Sequence, residues 1–125
     1  MVKIFLFIGS ILAGLSVAGG AFASHALKDR LSDRFLEIFE TGTKYQMYHA
    51  LALILVALLL NSQENPLITM VGAGYAFIIG ILIFSGSLYA LSLTGIKWLG
   101  AIAPIGGAAL IIGWLSLAIA AWGIK

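Results

Sequence analysis

Thr43-Lys44-Tyr45-Gln46-Met47-Tyr48-His49-Ala50-Leu51-Ala52-Leu53 carries a polar, aromatic run straight into the apolar block Leu51–Leu60. A helix through this stretch takes a glutamine, a histidine and two tyrosines into hydrocarbon on its first turns. Such groups are costly there unless they face protein or water and find partners. The stretch therefore predicts a membrane helix with one polar inner face. His25, at the end of the preceding apolar segment, is the neighbour expected for it.

Composition supports the membrane reading. Of 125 residues, 62% are hydrophobic and 10% charged, and mean hydropathy is +1.10. A soluble domain of this length needs more polar surface than these residues can supply. The chain is long enough for one domain of a few spans, residues 1–125, without a separate soluble module. With no cysteine, disulfides, thiol nucleophiles and thiolate metal sites are excluded. The formal charge of +2 comes with no basic run, so nucleic acid is not an expected partner. Membrane lipid is.

Outward from the opening stretch, four spans are expected, at about 2–26, 43–60, 67–93 and 98–124, giving an all-α, four-helix transmembrane bundle. The first has features of a signal peptide: Lys3, the apolar Ile4–Val17, and Ala21-Phe22-Ala23 resembling a cleavage site. Its length nevertheless suits a retained span. Ser10-Gly14-Ala18 and Ser16-Gly20-Ser24 recur at helical spacing, as do Gly72-Ala76-Gly80. Small residues let backbones approach closely in lipid. Packing within the chain is the expectation for these stripes, ahead of a dimer face.

Between the first two spans, Lys28, Asp29, Arg30, Asp33, Arg34, Glu37 and Glu40 surround Leu31, Phe35, Ile38 and Phe39 on one helical face. Ser32 suits an N-cap and Gly42 a stop. A short amphipathic helix over 32–41, lying in the interface plane, is predicted. Thr43 then reads as the N-cap of the second span, with Gln46 at capping-box spacing. From there to Leu60 the helix is about 26 Å long. The polar loop Asn61–Pro66 leads into the third span, and Thr94-Gly95-Ile96-Lys97 makes a tight turn into the fourth. Pro104, Gly106 and Gly107 predict a helix break about a third of the way along that span.

Lysine and arginine counts set the orientation. Lys28, Arg30, Arg34, Lys44 and Lys97 face one side, against Lys3 and Lys125 on the other. Both termini are expected outside and the 27–43 connection in the cytoplasm.

Measured from the cytoplasmic boundary, His25, Gln46, His49, Ser85, Ser87, Tyr89 and the Pro104–Gly107 break all fall in one half of the bilayer. Intramembrane polar residues point to a site, so these define a predicted polar half-site. Each also has a plainer explanation. The histidines could cap carbonyls, the serines bond between helices, and Tyr45, Tyr48, Trp98 and Trp114 form belts or packing. No third ligand or close carboxylate joins the histidines, so no metal is expected. No base stands at a partner spacing for a nucleophile, and no catalytic residue or cofactor is assigned.

Four ordered motifs carry a family resemblance. They are Gly20-Ala21-Phe22-Ala23-Ser24-His25-Ala26-Leu27-Lys28, Tyr45–Leu53, Phe84-Ser85-Gly86-Ser87-Leu88-Tyr89, and Pro104-Ile105-Gly106-Gly107 with Gly113-Trp114. Over almost its whole length the chain resembles the YgdD/YwdK-like group of small membrane proteins, domain of unknown function number 423. Ala23-Ser24 departs from the family's more usual Gly-Ala. The resemblance implies a four-span bacterial inner-membrane protein and brings no activity. Two roles then compete: a structural or accessory membrane protein, working as a homo-oligomer or in a larger membrane complex; or a binding or transport protein for a small solute, proton or lipid. The first predicts a closed bundle with satisfied histidines. The second predicts a wet cavity reaching them.

Overall fold

A computed structural model gives the fold and describes residues 1–124. Lys125, one of the basic residues counted on the outer side, lies outside the described residues. Among them, four helices are long and apolar enough to cross a membrane. The first, α1 (Val2–Phe22), runs on through a π-helical turn, Ala23–Leu27. Then come α2 (Asp33–Asn61), α3 (Ile68–Thr94), a 3₁₀ stretch (Lys97–Ala101) and α4 (Ala103–Ala121). The main interfaces follow chain order: α1 on α2, α2 on α3, α3 on α4. Half of α2's apolar stretch is buried, against 17% for the first span and 22% for the last, so α2 is the centre of the bundle.

The separate interfacial helix expected over 32–41 is not a separate element. Ser32 is indeed the N-cap, accepting from the Phe35 N–H at 3.2 Å, with Asp33 in the first turn. The helix it opens continues through Gly42 and Thr43 for 29 residues. That is about 43 Å of rise, against a hydrocarbon layer of about 30 Å, so the charged turns simply project past the apolar region. Gly42 is there for packing, since a Cβ at this position would sit 2.7 Å from Cε1 of Tyr89. Thr43 does not cap anything; its Oγ1 donates back to the Glu40 carbonyl at 2.8 Å. The apolar face of these turns packs inward, with Phe39 buried beside Ala23 and Leu27.

The helix break expected at Pro104, Gly106 and Gly107 also takes another form. The irregular backbone is the 3₁₀ stretch, and Pro104 lies in the first turn of α4, where an absent N–H costs nothing. Gly106 serves close approach instead: a Cβ there would lie 2.7 Å from Phe84 Cα, so α3 and α4 meet backbone to backbone. The turn before it closes on Gly95, at φ 73°, whose N–H donates to Leu91 at 2.8 Å. Pro66 falls one residue before Leu67, the N-cap of α3, rather than inside the helix.

Only some of the small-residue stripes pack as expected. On α1 the inward line is Phe5, Gly9 and Ser16, continued by Ala23, while Ser10, Gly14 and Ala18 are exposed. On α3, Ala76 and Gly80 are buried and Gly72 is exposed. Both helices are apolar around most of their circumference, so no amphipathic contrast marks which small residues face in. Away from the charged turns the core is apolar: Phe5, Leu53, Val56, Met70 and Phe77 are fully buried together.

Candidate functional site

Each of the other three spans makes a side-chain hydrogen bond with α2, and all of these involve residues 42–49. From α1, Ser16 Oγ donates to the Thr43 carbonyl at 2.6 Å. Returning the contact, Gln46 Nε2 donates to the Leu12 carbonyl at 2.7 Å. From α3, Ser85 Oγ donates to the Gly42 carbonyl at 2.8 Å, and the Tyr89 hydroxyl to Gln46 Oε1 at 2.6 Å. From α4, Trp114 Nε1 donates to His49 Nε2 at 3.0 Å.

This last bond fixes the state of His49. An indole N–H can only donate, so His49 Nε2 must be the bare nitrogen. The proton then sits on Nδ1, which donates to the Tyr45 carbonyl at 2.8 Å. The imidazole is thus held neutral in a single tautomer. Phe77, Trp114 and Tyr45 surround the ring, with centroids 5.7, 5.8 and 6.1 Å away. Among the described residues, no buried side-chain nitrogen or oxygen lacks a hydrogen-bond partner.

Of the predicted half-site, Gln46, His49, Ser85 and Tyr89 belong to this network. Ser87 is buried but bonds only to the Phe84 carbonyl on its own helix, at 2.9 Å. His25 is exposed on the π-helical turn and is not brought to His49. Gly9 of α1 meets Ala50 and Ile54 of α2 and the Leu12 carbonyl takes Gln46, so His49 is level with the Gly9–Leu12 part of α1 and His25 lies well beyond it, toward the α1–α2 turn. Gly106 packs against Phe84 and brings no polar group to the network. Ser16 and Trp114 are the members that sequence reasoning placed elsewhere, in a small-residue stripe and an aromatic belt. Tyr45, Tyr48 and Trp98 are exposed, at 41%, 55% and 65%, and stand outside the network's bonds except for the Tyr45 carbonyl.

Beside the network, a cavity of about 280 Å³ lies between α1 and α3, backed by α2. Gly19, Phe39 and Tyr89 line the end toward the α1–α2 turn, and Leu12, Gln46, Ile81 and Leu82 the other, where Gln46 bonds the Leu12 carbonyl. Neither histidine lines it.

Four apolar rods joined by buried, internally satisfied polar groups define a multi-span α-helical membrane protein. The family described as "Protein of unknown function (DUF423)" matches residues 19–107, and the chain belongs to it. It is 47% identical over 118 residues to a UPF0382 membrane protein of Staphylococcus epidermidis, covering 94% of both chains. To the UPF0382 membrane protein YwdK of Bacillus subtilis it is 44% identical over 119 residues, covering 95% of this chain and 96% of that one. No solved structure matches. The chain is therefore a membrane protein of the family its motifs resembled.

Proposed function

We propose that the protein is a structural or accessory component of the bacterial cytoplasmic membrane, a rigid four-span module that packs against further membrane helices or copies of itself. One observation carries this reading: the polar groups of residues 42–49 are used up in holding the four helices together. A transport site would hold such groups ready for a solute along a wet path. Here the His49 ring is occupied on both nitrogens, and the cavity does not reach it. Helical rather than barrel spans favour the inner membrane. The lysine and arginine count favours termini outside and the 27–43 connection in the cytoplasm.

The outward face of α1 is the expected docking face, since a Cβ on Gly14 would meet nothing within 4 Å among the described residues. Crosslinking in native membranes, followed by purification in mild detergent, tests the role. The protein should be recovered as an oligomer or in a larger complex, and Gly14→Leu should dissociate it without unfolding the bundle. Recovery of wild type as lone monomers by both routes would contradict the proposal.

A further inference from the structure

Lys44 stands at an unexpected depth. Its neighbour Thr43 accepts from Ser16 of α1 and lies against Gly19, while Gly42 accepts from Ser85 of α3. The apolar run of α1 lies between Lys3 and Lys28, and that of α3 between Glu64 and Lys97. Their midpoints fall at Leu15–Ser16 and Gly80–Ile81, which sets the Lys44 backbone within about 5 Å of the middle of the membrane. Half the hydrocarbon layer is about 15 Å, so about 10 Å separates Lys44 from the headgroups. A four-carbon stem covers only part of that distance. Yet Lys44 is exposed, on the outward face of α2, and no ion pair forms at it among the described residues. Charges at such depth otherwise turn inward or pair.

We propose that the outward face of α2 receives a membrane helix of another protein, whose carboxylate pairs with Lys44. From Lys44 the same face continues through Tyr48, Leu51, Leu55 and Leu58, all exposed, at spacings of four, three, four and three. That repeat keeps a second helix in register along the whole stripe. Lipid phosphates stay at the surface, beyond the reach of the stem. A second copy of this chain does not fit either. Joined about a two-fold axis on this face, it would set Lys44 against Lys44. Nor does any carboxylate of this chain lie at that level: Asp29, Asp33, Glu37 and Glu40 are nearer one surface and Glu64 the other. The partner must therefore bring its own aspartate or glutamate, level with Ser16 and Ser85. The inference rests on the accessory role and gives it a partner of defined chemistry, on a different face from that of Gly14.

The test uses the full chain in its native membranes, with photoreactive benzoylphenylalanine in place of Tyr48, one turn from Lys44. Irradiation should join it to a membrane-spanning segment of another protein. Mass spectrometry of the adduct should find an aspartate or glutamate within about one helical turn of the attachment point. Lys44→Met keeps most of the stem and removes the charge. Adduct yield per folded protein should then fall about tenfold or more, as when one partner of a desolvated charge pair is lost. Lys44→Arg keeps the charge and should retain the adduct. Adducts with acyl chains alone, with a second copy of this chain, or with a segment lacking a nearby carboxylate would overturn the proposal. So would a protein adduct whose yield ignores Lys44→Met; the accessory role would then stand and only the charged partner would fall. Lipid adducts together with lone monomers would sink both.

Discussion

The two halves of this bundle are held together differently. Around residues 42–49 of α2, neighbouring helices are tied by directional bonds between side chains and backbone, with His49, Gln46 and Ser85 nearly inaccessible. From Leu53 to Leu60 the same helix meets Phe5, Met70, Ala73 and Phe77 through apolar packing. Lipid tails are as apolar as leucine, so that second half gains little from leaving lipid and depends on close fit. The difference teaches a division of labour: packing supplies contact, and the polar half selects the rotation and register at which contact is made.

Substitutions can break this comparison at either end. The largest effect is expected from packing. Gly106→Leu drives a side chain into the Phe84 backbone, which cannot move aside as a side-chain tip can. A loss of about 3 kcal/mol, or failure of α4 to dock, should appear in reversible unfolding from a bilayer mimetic. Gln46→Leu comes next. It removes the bonds to Leu12 and Tyr89 while keeping an apolar body, and should cost about 1 kcal/mol by the same measurement, given membrane hydrogen bonds of about 0.6 kcal/mol each. If Gln46→Leu proved neutral, the two halves would not differ in kind. Trp114→Phe keeps an aromatic ring but drops the donor to His49, for an expected loss of about 0.6 kcal/mol. Ser87→Ala sharpens the contrast from below. Its hydroxyl bonds within its own helix, so stability should stay within about 0.5 kcal/mol of wild type.

The opening stretch was legible because glutamine and histidine on the first turns of an apolar helix need partners, and that need survives any choice of neighbour. Spans and their number followed from hydropathy for the same reason. What sequence could not supply was azimuth. Counting residues from a boundary put His25 and His49 together because α2 was expected to begin at Thr43; it begins at Asp33, and its register sets His49 against the Gly9–Leu12 part of α1, far from His25. Nor does a count say which way a side chain points. On α1 and α3, apolar all round, no polar stripe marks the outside. Ser10-Gly14-Ala18 therefore looked as ready for packing as Gly9 and Ser16, which do the packing. Trp114 carried no signal that set it apart from a belt tryptophan until His49 stood beside it. Gly42 and Pro104 misled in the opposite sense. Each is a conventional helix breaker, and each is placed where breaking does not arise, one against the Tyr89 ring and one in a first turn.

The most direct test is a double-mutant cycle between Gln46→Leu and Tyr89→Phe, read from reversible unfolding in a bilayer. Bonds that join separate spans require the two changes to be non-additive, with a coupling of about 0.6 kcal/mol or more. Strict additivity would mean that Tyr89 and Gln46 do not bond in the membrane, contradicting a polar half that sets how the helices meet.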